Sequence, residues 1–272
     1  MSLKSFEDAV TLITGAASGI GRATAQACYA RGSHVILADL NEAGLQQTLQ
    51  LLQQSNPSSG RQILTSCTDV ADETQVQQLM QKTLQDCGHL DLVVTCAGIG
   101  RGGTIDSFTG SEMRNILDIN FMGTYHCVRA ALPAMRQQKS GHFVLLSSVA
   151  GKLGAPLLSA YCATKWAVRG FSIALRAELY GTGIGITTVY PAWVDTPMIH
   201  QEADPMQSLN IEALLTPAQV ADSIVKAVLD DRADLTLAPN KDIARTLELM
   251  KEAPEQAEQA MGAAYYRRTH QP

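Results

Sequence analysis

Thr14-Gly15-Ala16-Ala17-Ser18-Gly19-Ile20-Gly21 stands between two segments of opposite character, and the fold follows from reading it. Before it runs Ala9-Val10-Thr11-Leu12-Ile13, short, apolar and partly β-branched, as a buried strand is. After it, Arg22 to Arg31 is rich in alanine and suits a helix. A strand, a glycine turn and a helix N-terminus in that order form a site for a dinucleotide pyrophosphate. Glycine lets the backbone approach the phosphates, and the helix start presents unpaired N–H groups with a partial positive charge. A glycine pattern alone is a weak signal. Here the next apolar strand, His34-Val35-Ile36-Leu37-Ala38, ends in Asp39, 20 residues beyond Gly19. An acidic side chain at that distance is the expected acceptor for the adenosine ribose hydroxyls.

Outward from this unit, apolar strands alternate with amphipathic helices almost to the end, the pattern of a doubly wound parallel sheet flanked by helices. Strands are predicted at 9–14, 34–38, 61–66, 91–95, 141–147, 184–190 and 234–238, and helices near 20–31, 42–54, 72–86, 111–137, 159–181 and 217–230. No repeat or interdomain linker interrupts them, so residues 1–240 read as one α/β domain. The tail, 241–272, is helical in composition, with Pro254 as a break, and reads as part of the same domain or a subunit contact.

The chain has 272 residues, 46% hydrophobic and 17% charged, enough for one large α/β domain. It lacks a run of the ~18 apolar residues that a spanning helix needs, and Met1 to Asp8 does not read as a signal peptide. A net charge of −5, with no basic cluster before Arg267-Arg268, argues against nucleic acid as a partner. The six cysteines form no CxxC pair, which suggests buried free thiols in a reducing cytoplasm and no metal site.

Four polar residues carry the chemistry. Tyr161 and Lys165 lie four apart near the start of a helix, so they share a face. Ser148 follows the strand His142-Phe143-Val144-Leu145-Leu146 at its C-terminal end, where open α/β sheets place ligands. Asn120 falls within the helical segment 111–137.

Together with the glycine turn, this set resembles the short-chain dehydrogenases/reductases in their single-domain form. The matching residues are Thr14-Gly15-x-x-x-Gly19-x-Gly21, Asp69-Val70, Asn120, Ser148, Tyr161-x-x-x-Lys165 and Pro191-x-x-Val194-x-Thr196, and the resemblance spans roughly residues 5 to 240. It implies a Rossmann-type fold and an NAD-dependent enzyme that moves a hydride between nicotinamide and a secondary alcohol or ketone. It implies Ser148, Tyr161 and Lys165 as a catalytic triad, which Asn120 completes by holding a water that passes protons from Lys165 to solvent. The cofactor would be held by Gly15, Ser18, Gly19, Ile20, Gly21, Asp39, Leu40, Asp69, Val70, Ala97, Gly98, Pro191, Val194 and Thr196, with Tyr161 and Lys165. Asp69 would accept from the adenine amino group, and Thr196 would touch the nicotinamide carboxamide. An unperturbed tyrosine titrates near 10, too high for a base at neutral pH. The Lys165 ammonium and the oxidised nicotinamide would lower Tyr161, and Ser148 would donate to the substrate oxygen.

Two positions depart from the family pattern. Cys96-Ala97-Gly98 stands for the usual Asn-Ala-Gly, which predicts a local stability cost. Pro191-Ala192 stands for Pro-Gly, tolerable if φ is negative there. Asp39 would repel a 2′-phosphate, which selects NAD over NADP; Arg22 is taken to stand near the pyrophosphate side.

The segment from about 196 to 216 corresponds to the family's lid over the substrate. Met198, Ile199, Leu209, Ile211, Leu214 and Leu215 give it an apolar face, with Trp193 and Leu153 adding to the pocket, which suits a lipophilic, steroid-like or cyclic substrate. His200, Glu202 and Asp204 leave a polar substrate open. An NADP(H)-dependent carbonyl or 3-oxoacyl thioester reductase remains the alternative, and a non-catalytic nucleotide sensor is disfavoured by the complete tetrad. Family members pair the two long helices, here about 111–137 and 159–181, which implies a homotetramer or homodimer.

Overall fold

The computed structural model describes residues 3–56, 60–200 and 214–270. Seven parallel strands form one sheet: β1 (Val10–Thr14), β2 (His34–Asp39), β3 (Ile63–Cys67), β4 (Leu92–Thr95), β5 (Gly141–Leu146), β6 (Ile184–Pro191) and β7 (Asp234–Leu237). Their order is β3-β2-β1-β4-β5-β6-β7. All seven lie within two residues of the predicted spans. Between β1 and β4 the chain reverses its direction of winding, which opens a crevice at the carboxyl ends of these strands, where such sheets hold ligands.

Helices cover both faces. On one side, α1 (Gly19–Tyr29), α2 (Glu42–Ser55) and α7 (Pro217–Leu229) pack on Ile13, Val35, Leu37, Val94, Val144 and Val189. On the other, α3 (Glu73–Cys87), α5 (Gly123–Gln138) and α6 (Ser159–Glu178) pack on Leu12, Ile36, Val93, Phe143, Leu145 and Ile186. Neighbouring strand residues thus serve opposite faces, the period of two that a pleated strand imposes. Because both faces are covered, the central strands β1, β4 and β5 are buried along their whole length.

The segment predicted as a single helix over 111–137 is divided. α4 (Gly110–Leu117) passes into α5 through a π-helical turn, Asp118–Met122, centred on Asn120. The wider turn re-aims the Asn120 side chain, a device frequent at functional sites. The tail folds as α8 (Lys241–Glu252) and α9 (Pro254–His270), with Pro254 at the break. Among the described residues no helix is long and apolar enough to cross a membrane.

Candidate active site

The glycine turn is built by backbone lying on backbone. Gly15 has φ +67°, and a Cβ there would sit 2.7 Å from the Ala97 nitrogen; one on Gly21 would sit 2.1 Å from the Gly15 carbonyl oxygen. Only glycine fits either place. Ser18 occupies the N-cap of α1 without a side-chain capping bond, and no acidic residue lies in the first turn. The helix therefore directs its partial positive charge into the crevice, as an anion site requires.

The Asp39 carboxylate holds this turn in shape, accepting from Ala17 N at 3.0 Å and from Asn41 N at 2.9 Å. Arg22, next to the glycine turn, directs its guanidinium between α1 and α2. Its guanidinium bonds the Ala17 carbonyl, the Thr48 hydroxyl at 2.9 Å and Gln47 at 3.2 Å, through Nε and Nη2.

At the end of β5, the Ser148 hydroxyl accepts from Ala150 N at 3.1 Å and lies 3.3 Å from the Pro191 carbonyl, to which it donates. The first turns of α6 bring in Tyr161 and Lys165. Lys165 Nζ donates to the Leu146 carbonyl at 2.9 Å and sits 5.5 Å from the Tyr161 ring centre. Burial pushes Tyr161 up to about 12, against a hydrogen bond from Ser148 that works downward. Burial also lowers Lys165 to about 8. The lowering expected for Tyr161 is thus not present in the chain alone, because desolvation of the phenolate outweighs the favourable contacts.

Asn120 is 1% exposed. Its Oδ1 accepts from Ile99 N at 2.8 Å, and its Nδ2 donates to the Ile99 carbonyl at 3.0 Å and to Thr164 Oγ1 at 3.1 Å. Both amide donors are committed, and the main-chain carbonyl accepts from Thr124 Oγ1 at 3.1 Å.

A cavity of about 550 Å³ joins these parts. It is lined by all the candidate cofactor residues, from Gly15 and Asp39 through Asp69, Val70, Ala97 and Gly98 to Thr196, and by Ser148, Leu153, Trp193, Met198 and Ile199 of the candidate substrate pocket. Asn120 does not line it, and neither do His200, Leu214 and Leu215 of the segment expected to form the lid. The segment expected to form the lid is described at its two ends. Val194 and Leu215 form a parallel bridge, in which Asp195 N donates to the Leu215 carbonyl and Leu215 N to the Trp193 carbonyl, each at 2.9 Å. The intervening 201–213, including Glu202, Asp204, Leu209 and Ile211, lie outside the described residues.

Sequence reasoning missed Ala155, Leu158 and Ile243 on the cavity wall. Leu158 belongs to a small apolar cluster with Ala150, Cys162, Tyr161 and Trp193. The spacing of apolar residues before α6 could have indicated it; nothing in the tail marked Ile243.

At the two departures, Ala97 N donates to Thr14 Oγ1 at 3.2 Å, tying β1 to the chain after β4, while burial pushes the Cys96 thiol up to about 12. Ala192 is outside the left-handed region, so its Cβ is accommodated. All six cysteines are free; the expectation that they are buried holds for Cys28, Cys127 and Cys162, while Cys87 and Cys96 are half-buried and Cys67 is exposed at the sheet edge where β3 lacks an outer neighbour.

Residues 9–207 match the family model described as short chain dehydrogenase. The dehydrogenase/reductase SDR family member 7B of Xenopus tropicalis is 32% identical over 240 residues, covering 85% of this chain and 78% of that protein. The 3-ketodihydrosphingosine reductase of Mus musculus is 31% identical over 221 residues, 79% of this chain and 67% of the relative. Among solved structures, a Burkholderia phymatum short chain dehydrogenase/reductase in complex with NAD is similar with a TM-score of 0.85 at 29% identity, covering 93% of this chain and 96% of that one.

Proposed function

Because this chain belongs to the short-chain dehydrogenase/reductase family, we propose that it is an NAD(H)-dependent oxidoreductase interconverting a lipophilic secondary alcohol and its ketone, with Tyr161 as general acid and base. The observation that carries this reading is the gathering of Ser148, Tyr161 and Lys165 on the same cavity as the glycine turn.

The residues present fit a dinucleotide. The turn around Gly15 leaves no room for a Cβ, and the start of α1 is uncapped by Ser18. Gly19, Ile20 and Gly21 would hold the pyrophosphate, Asp39 the adenosine ribose, Asp69 and Val70 the adenine, and Thr196 the carboxamide. When bound, the nicotinamide supplies hydride transfer at the carbonyl carbon.

The chain's own residues supply position and protons. The Ser148 hydroxyl donates to the substrate oxygen and steadies charge that develops there. Tyr161 gives its phenolic proton to that oxygen in reduction and takes it back in oxidation. Lys165, held by the Leu146 carbonyl, favours the tyrosinate while protonated. Asn120 is a positioning residue that fixes Ile99 and Thr164 around this group.

Asp39 at the rim supports NAD over NADP, since a carboxylate repels a 2′-phosphate. Leu153, Leu158, Trp193, Met198 and Ile199 give the substrate end apolar walls, which supports a lipophilic substrate. The name of the mouse relative, a reductase, favours the reductive direction as a second reading, with NADPH as its donor. The outward face of α6 carries Trp166 at 43% and Ile173 at 53% exposure, with exposed Gly170 between them, which supports a homodimer or homotetramer. NADH and NADPH titrations by fluorescence, followed by turnover with a panel of secondary alcohols and ketones, test this reading. Tighter NADH binding with turnover of an apolar member supports it; preference for NADPH overturns the cofactor assignment.

A further inference from the structure

Ile243 lines the same cavity as Ser148 and Tyr161, yet it comes from α8, beyond the sheet and beyond residues 9–207 that carry the family match. Its placement has a local cause. After β7 the chain turns at Asn240, whose side chain accepts from Asp242 N at 2.7 Å and so sets where α8 begins. Ile243 then falls in the first turn. Leu247, one turn later on the same face, is buried and anchors the helix. α8 packs chiefly on α9, whose Ala257 is fully buried.

Ile243 is half-buried, and like Met198 and Ile199 it belongs to none of the three buried apolar clusters among the described residues. Three large apolar side chains from two distant segments thus border the cavity without core partners. An apolar group entering the cavity would gain their contact, and the hydrophobic effect would favour it in proportion to the area covered.

We propose that Ile243 is a specificity-determining residue: α8 forms a wall of the substrate chamber, and the volume of this side chain sets how large an apolar substituent fits beside Ser148 and Tyr161. The inference rests on the oxidoreductase reading above and names a determinant that the family motifs do not contain.

The test compares wild type, Ile243→Ala and Ile243→Trp with methyl ketones of increasing chain length, from acetone upward, using NADH. NADH affinity is measured in parallel by fluorescence. The alanine variant should raise the ratio of kcat/KM for long over short ketones by about tenfold, and the tryptophan variant should lower it by a similar factor. Both changes should reside in KM, with NADH affinity unaltered. Ratios equal to wild type in both variants, or changes that scale all ketones alike, overturn the proposal. A wild-type protein that binds NADH but turns over no ketone or alcohol of the series overturns the oxidoreductase reading itself, and the assignment of Ile243 with it.

Discussion

Asn120 and Ile99 hold each other through two hydrogen bonds, Ile99 N to Oδ1 at 2.8 Å and Nδ2 to the Ile99 carbonyl at 3.0 Å. The pair fastens the π turn between α4 and α5 to the chain leaving β4, directly behind Gly98. Replacing Asn120 with alanine leaves the half-buried Ile99 N–H and carbonyl without their partner, while the Thr164 hydroxyl keeps its bond to the Tyr161 carbonyl. A stability loss of about 2–4 kcal/mol in urea unfolding is expected, since each orphaned group costs about 1–3 kcal/mol. A loss below ~0.5 kcal/mol would show that the clamp contributes little.

The turn at Gly15 makes a separate prediction. Gly15→Ala forces a Cβ to within 2.7 Å of the Ala97 nitrogen at φ +67°. The turn must shift, and NADH affinity should fall at least about tenfold, equivalent to ~1.4 kcal/mol. Gly110→Ala, where nothing lies within 4 Å of the added Cβ, serves as the control and should bind NADH as wild type does.

Asp39 both anchors the turn and guards the ribose position. Asp39→Ala combined with Leu40→Arg should raise the NADP/NAD ratio of kcat/KM by at least about tenfold. The same variant should lose ~1–2 kcal/mol of stability, because Ala17 N and Asn41 N lose their acceptor. An unchanged cofactor ratio would remove Asp39 as the selector.

Much of this was legible in the sequence, and its limits have physical causes. The strand periods, the Gly15–Gly21 turn and the Asp39 spacing are local patterns, so they located the sheet and one end of the crevice. Tyr161 and Lys165 were legible for the same reason, being one helical turn apart. The π turn at Asn120 was not, since its apolar spacing is that of an ordinary helix. The rise of Tyr161 depends on burial, in a cluster to which Trp193, 32 residues further along the chain, contributes. Ile243 reaches the cavity only through the turn after β7, a tertiary fact that no local pattern announces.

His142 offers a test away from the site. It is fully buried at the start of β5, its Nε2 is 2.9 Å from Thr187 Oγ1, and its Nδ1 makes no hydrogen bond. Burial lowers it from 6.5 to about 4, with Asp231 pulling upward and Arg176 downward. The unfolded chain therefore binds the proton more readily, and stability is complete above 6.5 and lost as pH falls toward 4. Urea midpoints should show a loss of about 2 kcal/mol between about pH 7 and pH 5 that His142→Asn removes. An identical pH slope in both proteins would contradict the assignment.

The central claim is that Tyr161 moves the proton, and Tyr161→Phe tests it most directly. NADH formation from an alcohol that the wild type oxidises would be followed at saturating NAD, with NADH affinity measured in the same preparation. Removing the hydroxyl should cut kcat by about 10³-fold, within the range that general acid–base catalysis supplies, while NADH binding stays within about twofold. A variant that keeps wild-type kcat would contradict the account and assign proton transfer to another group.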